Sequence, residues 1–329
     1  MEDIRLAVGL MAFLSVATFG ITFRLLRHRR KIWLDVVAVV TVALLLVYVY
    51  RVWGQLWIVT YIPLPSVIIL SNWFPPLLGV LAAIAWLRFD PPPGPAGDGA
   101  EGTLLLPDAN PRGAFDVWGL VRRLPAQIVL LGAAVYSMMY FIPKAPPVCG
   151  DKWNPPFPPM VFPVCMQTTP HTCSAASAAT ILTTLGEETS EQEMAQMCLT
   201  KSGTTWLGLY HGLSWKLLGT GFRVEFFEGG GAELTQHAAR HPVLLCCQLT
   251  HEVARQMPEY RQAGWNPGTA HSVVYFGTLR DRHVIGDPAV GYELWTDKDL
   301  NALWTGQGLR IARVRNSPLA ATDQQDGSL

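Results

Sequence analysis

MQTTPHTCSAASAATILTTLG, residues 166–186, is the segment around which the second half of this 329-residue chain is arranged. A loop holding Pro170 gives way at Cys173 to small, helix-forming residues that run to Gly186. A thiol at a helix N-terminus lies beside unpaired backbone N–H groups and the positive end of the macrodipole, so its thiolate is favoured. Gln167, six residues upstream, can turn its amide NH₂ toward an oxyanion forming beside that sulfur. The same stretch also reads as a small-residue helix with a buried free cysteine, the commoner fate of a single Cys.

Two further stretches bear on that choice. HSVVYFG, residues 271–277, opens on His271 and continues as a β-branched and aromatic strand. VIGDPAVG, residues 284–291, places Asp287 sixteen residues after that His. In these contexts Gln167, Cys173, His271 and Asp287 resemble the three motifs of the bacteriocin-processing cysteine peptidases, family C39, a branch of the papain-like fold. The resemblance runs roughly from Pro163 to Val314 and includes the LWTG at 303–306. It implies Cys173 as nucleophile, His271 as its base, Asp287 as the residue orienting that His and Gln167 as oxyanion donor. The family has Gly directly after the Cys, where this chain has Ser174.

Composition bounds the rest. Formal net charge is zero and the pI is near 7.1, which points to no nucleic-acid partner. No GxxxxGK[ST] motif is present, so no ATP is expected. Cys165, His171 and Cys173 have no second ligand pair after them, so neither metal nor other cofactor is expected. His171 is too close in sequence to Cys173 to reach over its sulfur and reads as a loop histidine. All six cysteines lie at Cys149 or later. In an oxidising compartment a disulfide follows, with Cys149–Cys165 favoured because both flank a Pro-rich loop. The pair Cys246-Cys247 lies in a strand, whose alternation places one thiol in the core and opens the other to pairing.

The first half is apolar. Leu6–Phe23 and Ile32–Tyr50 are each about the length that crosses a ~30 Å bilayer core. Between them, Arg24 to Lys31 carries five Lys/Arg, which marks a cytoplasmic loop. A third span, Ser66–Leu87, is kinked at Pro75-Pro76, and a fourth runs from Leu124 to Pro143. With Arg88, Arg112, Arg122 and Arg123 the two alternate loops hold nine Lys/Arg, against Arg51 alone after the second span. Four spans then place the peptidase-like half outside the cytoplasm of a multi-pass inner-membrane protein. Five spans would place the linker arginines outside, against that rule.

The organisation is accordingly a membrane domain over 1–88 with about three helices, a cytoplasmic Pro/Gly-rich linker over 89–123, and a fourth transmembrane helix over 124–143. A Pro-rich tether over 144–162, a C39-like peptidase domain over 163–315 and a disordered tail over 316–329 complete it. Within the peptidase-like part, a Ser190–Glu193 capping box and helices over 206–218, 233–240 and 297–304 are expected. Strands are expected over 222–227, 243–249, 271–279, 283–286, 292–296 and 309–314. The fold class is α+β: a papain-like cysteine peptidase domain preceded by an all-α transmembrane domain. The expected function is hydrolysis of peptide bonds in a secreted or membrane-borne peptide or protein, with that substrate and the lipid bilayer as partners. The alternatives are a thiol acyltransferase or amidase using the same triad, and a non-catalytic peptide-binding domain.

Overall fold

The computed structural model describes residues 2–89, 117–139, 146–156 and 162–314. Of the expected linker over 89–123, residues 90–116 lie outside the described residues, as do the end of the fourth span, parts of the tether and the tail, while 117–123 belong to a helix. The chain forms two compact units, 1–53 with 69–141 and 54–68 with 142–329.

The first unit is helical: α1 (Glu2–Leu26), α2 (Lys31–Arg51), α3 (Val67–Leu70, continuing from the other unit), α4 (Phe74–Arg88) and α5 (Val117–Met139). By length and composition three stretches can cross a membrane, Asp3–Leu26, Lys31–Arg51 and Val67–Arg88, and Arg123–Met139 is a shorter apolar helix. α4 is the inner element, packed by α1, α2 and α5. Gly79 lets it approach α1, because a Cβ there would run into the Ser15 carbonyl, and Thr18 Oγ1 donates to Pro76 O at 2.9 Å. The outer helices turn large apolar side chains outward: Leu6, Val16, Val39 and Ile128 are all exposed. Apolar surface of that extent suits lipid and is unfavourable in water.

The second unit is α+β, as expected. A 3-10 turn (Leu56–Thr60) precedes the two-stranded ribbon of β1 (Trp153–Asn154) and β2 (Val164–Cys165). Three helices follow: α6 (Cys173–Thr183), α7 (Glu191–Met197) and α8 (Trp206–Lys216). Then come β3 (Phe222–Glu228), α9 (Gly231–His237), β4 (Val243–Gln248), α10 (His251–Gln256) and α11 (Glu259–Gln262). The chain closes with β5 (Ala270–Leu279), β6 (Arg282–Asp287), β7 (Gly291–Trp295), α12 (Asp297–Leu303) and β8 (Trp304–Arg313). The six longer strands form one antiparallel sheet in the order β3-β8-β4-β5-β6-β7. α6 lies on one face against β5, β4 and β6. Its run Ser174–Ala179 is wholly buried, and small side chains are what allow a helix so close to a sheet. Strand alternation sends Val243, Leu245, Cys247, Val273, Tyr275 and Ile285 to the other face, where they join Leu234, Tyr260, Leu300 and Leu303 in one core.

Several expectations need correction. Cys246 and Cys247 are both buried, 2% and 0% exposed, because β4 is an interior strand covered on both faces; neither is open to pairing. All six cysteines are free thiols. The β1–β2 register sets Cys165 across from Trp153, and the ribbon continues until Gly150 N donates to Thr168 Oγ1, which carries Cys149 past Cys165. The capping box is half made: Ser190 Oγ accepts from Glu193 N at 3.1 Å, while the Glu193 carboxylate binds Lys216 Nζ and Thr189 Oγ1 instead. α10 and α11 lie where no element was expected. β8 starts at Trp304, earlier than expected, because Gln307 and Gly308 already pair with β3.

Candidate active site

Cys173 is the first residue of α6, after Thr172 in the capping position. The loop that delivers it is pinned at three points. Gln167 N donates to Pro288 O at 2.7 Å, so the Gln loop and the Asp287 turn are joined directly. Thr168 donates from N and Oγ1 to the two carboxylate oxygens of Glu191, at 2.8 and 2.7 Å. Glu191 is fully buried in the first turn of α7, where a carboxylate also gains from the helix dipole. Thr172 and Thr169 close the turn hydroxyl to hydroxyl at 3.0 Å.

β5 and β6 bring the other two groups. His271 is the second residue of β5, opposite Cys247, and Asp287 ends β6. His271 Nε2 lies 2.9 Å from Asp287 Oδ1, which also accepts the Ala289 N–H at 2.7 Å. That leaves Nδ1 as the ring nitrogen for the sulfur, and Cys173 and His271 are brought together by their neighbours Ser174 and Ser272, whose hydroxyls lie 2.8 Å apart. Gly291 pairs with Asp287 across the turn at φ +98°, a left-handed conformation, and a Cβ there would collide with Asn154. Glycine is therefore required where the DPAVG turn presents its Asp.

The electrostatics single out one thiol. Burial works against the Cys173 thiolate, yet the His271 hydrogen bond and charge, the Ser272 backbone and the Ser174 hydroxyl outweigh it, and its pKa falls below the ordinary 9.0. Burial likewise opposes the His271 cation, but Asp287 and Cys173 hold its pKa above the ordinary 6.5. The two shifts together favour a thiolate–imidazolium pair. Elsewhere burial pushes thiols up: Cys149 to about 11, Cys165 to about 12, and Cys198, Cys246 and Cys247 further.

Gln167 reaches the site less directly. Its Nε2 donates to Thr169 O at 3.2 Å, and its Oε1 is buried without a hydrogen-bond partner among the described residues. The second amide hydrogen is not used by that bond. His171 is exposed in the turn before α6.

Sequence reasoning missed several neighbours. Trp265 stands edge-on to the His271 ring, 5.2 Å between centroids, and against Trp295 at 6.0 Å, so the imidazole has an aromatic wall. Glu293 accepts from Trp295 Nε1 at 2.8 Å, and burial raises its carboxyl above the usual range, with the Asp287 charge adding to the effect. Ser174 and Ser272 meet beneath the thiol, 2.8 Å apart. A Trp inside the turn-rich GWNPG at 264–268 was the available signal for the first of these.

No protein-family model matches the chain, and no curated protein does. Among solved structures it is similar over 50% of its length to all of the peptidase domain of Streptococcus ComA, a bi-functional ABC transporter involved in a quorum sensing pathway, at 18% identity and TM-score 0.36. It is similar over 51% of its length to 99% of a double glycine motif protease from an AMS/PCAT transporter in complex with the leader peptide, at 16% identity and TM-score 0.36. A periplasmic domain of the EpsAB fusion protein of the Vibrio vulnificus type II secretion system is similar over 44% of this chain and 47% of its own, at 18% identity and TM-score 0.27. At these values the likeness carries no step of the chemistry, which rests on the side chains above. In its peptidase-like half this chain is similar to C39 peptidase domains.

Proposed function

We propose that the protein is a membrane-anchored cysteine peptidase in which Cys173, His271 and Asp287 act as one unit. The observation that carries this reading is that the fold sets Cys173, at the head of α6, beside His271, their neighbours Ser174 and Ser272 touching at 2.8 Å, while that imidazole is itself held 2.9 Å from the buried Asp287 carboxylate. The Cys173 thiolate attacks the substrate carbonyl carbon, a C–S bond forms, and the carbonyl π pair moves to oxygen. Gln167 Nε2 supplies a donor to that oxyanion after a modest reorientation from Thr169 O. As the oxyanion collapses, the C–N bond breaks and the His271 imidazolium gives its proton to the leaving amine. Water, deprotonated by the now neutral His271, attacks the thioester carbonyl; the C–S bond breaks and the acid product leaves. Asp287 fixes the ring so that one nitrogen always faces the sulfur.

The full-length chain in detergent, treated with an active-site-directed thiol reagent and mapped by mass, should carry the label on Cys173. In a host making Cys173→Ala protein, uncleaved substrate should accumulate. Labelling spread over several cysteines, with no protein accumulating, would sink the reading.

The location proposed for the catalytic unit is the extracytoplasmic side. It rests on outward-facing apolar helices and on the basic loop Arg24–Lys31, which the positive-inside bias holds in the cytoplasm. A reporter that works only outside the cytoplasm, fused after Leu329, should be active; a stable but inactive fusion overturns the orientation.

A further inference from the structure

Beneath the sulfur, α6 and β5 are joined by hydroxyls where hydrocarbon would serve for packing alone. Ser174 Oγ lies 2.8 Å from Ser272 Oγ, and Ser177 Oγ donates to the Ser272 carbonyl at 2.8 Å. Ser174 is 3% exposed, and Ser177 and Ser272 are fully buried. Cys173 Sγ is 4.0 Å from Ser174 Oγ, at the long end for a hydrogen bond to sulfur.

Proton bookkeeping gives this cluster a direction. Two hydroxyls in contact use one of their two hydrogens on each other, and the second needs an acceptor. If Ser174 donates to Ser272, the Ser272 proton is left buried with no acceptor among the described residues, which is costly. If Ser272 donates to Ser174, the Ser174 proton is free to point at the sulfur, the one nearby acceptor that gains from it. An anionic sulfur gains most, since hydrogen bonds to charged groups are about twice as strong as neutral ones.

We propose that Ser272 and Ser174 form a two-hydroxyl relay, Ser272 Oγ–H to Ser174 Oγ–H to Cys173 Sγ, that stabilises the sulfur in its anionic form. The proposal rests on the reading of Cys173 as nucleophile and adds two positioning residues to it. It also gives Ser174 a purpose. With Gly at 174, as in the family the sequence resembles, the Ser272 hydroxyl would have no partner.

The test is the pH dependence of iodoacetamide alkylation of Cys173 in the full-length chain, followed on the peptide that carries it, with thermal melting alongside. Ser174→Ala should raise the alkylation midpoint by about 0.5–1 pH unit, so that alkylation below both midpoints slows roughly 3–10-fold. Ser272→Ala should do about the same. The double variant should add little, because the groups act in series. Ser272→Thr, which keeps the hydroxyl on a β-branched strand residue, should restore the wild-type midpoint. A lowered melting temperature with an unmoved midpoint in Ser174→Ala would mean that the hydroxyls only pack the interface, and the relay would be wrong. If Ser272→Ala does not fold, the Ser174→Ala midpoint decides alone. A wild-type midpoint at the ordinary thiol value would instead remove the nucleophile reading itself, a different failure.

Discussion

The head of α6 and the middle of β4 each hold cysteine, and they do opposite things with it. Cys173 sits where a helix begins, with His271 on its thiol, and its pKa falls. Cys246 and Cys247 sit within an interior strand, and burial pushes both thiols up. Burial also opposes the Cys173 thiolate, so desolvation is not what separates the two places. The difference lies in what acts on the sulfur: an imidazole, a backbone group and a hydroxyl offset burial at one place, and nothing offsets it at the other. A nucleophile is made by the donors around a thiol, and the fold delivers them by crossing the start of a helix with the ends of two strands.

The sharpest way to break the contrast is to remove its centre. Cys173→Ala should lower turnover by roughly 10⁴-fold or more, and His271→Ala by about as much, since groups acting as a unit are not additive when removed singly. His271→Ala should also leave Cys173 alkylating like an ordinary buried thiol. Turnover at the wild-type rate in that variant would overturn the assignment of the base. Gln167→Ala should cost less, roughly 10²–10³-fold in kcat, the usual loss of one oxyanion donor. Its alkylation profile should stay close to wild type, because an alkylation builds no oxyanion. Equal losses of turnover and alkylation would place Gln167 with the thiol and not with the oxyanion.

Much of this site could be read from the chain, because its parts are local signals. The small-residue run after Cys173 marks a helix packed close to something, and the alternation in HSVVYFG and VIGDPAVG marks strands whose ends carry His271 and Asp287. Each of the six strands was legible for the same reason. Strand alternation tells which residues share a face but not whether both faces are covered, so one of Cys246 and Cys247 was legible as core and the burial of the other was not. Contacts between distant segments left no trace either: Ser174 with Ser272, Thr168 with Glu191, and Trp265 with His271 each join residues that no local pattern relates. Glu191 is the clearest example. In sequence it is part of a helix-opening motif, and in the fold its carboxylate is the buried anchor of the loop that leads to Cys173.

A smaller effect tests the charges on both sides of the ion pair. His271 has a raised folded pKa, so its contribution to stability is complete below the ordinary 6.5 and is lost as pH rises through the folded value. Cys173 has a lowered one, so its contribution is present above the ordinary 9.0 and is lost as pH falls through the folded value. In the wild type the two slopes oppose each other wherever the windows overlap, from the folded value of Cys173 up to 9.0. Cys173→Ala removes one of them and leaves His271 on Asp287. Its stability in urea should therefore decline as pH rises above 6.5, more steeply than that of the wild type. Parallel curves for the two proteins would mean that the thiol does not share in the charge.

The smallest effect belongs to β4, and it sharpens the contrast from the other side. Cys247 is fully buried in the core that Leu245, Val273 and Tyr275 also fill. Among the described residues its sulfur makes no hydrogen bond to Cys173, His271 or Asp287, so its role is to fill volume. Cys247→Ala removes that volume and should destabilise the unit by about 1 kcal/mol, the scale of a small core truncation. In a unit of this size that is a fall in melting temperature of roughly 2–4 °C. Turnover per folded molecule and the alkylation midpoint of Cys173 should not move, even though His271 is paired with Cys247 across the strands. The pairing is through the backbone, which alanine preserves. A shifted midpoint with an unchanged melting temperature would show that the β4 thiol communicates with the site, and the division between the two cysteine environments would have to be redrawn.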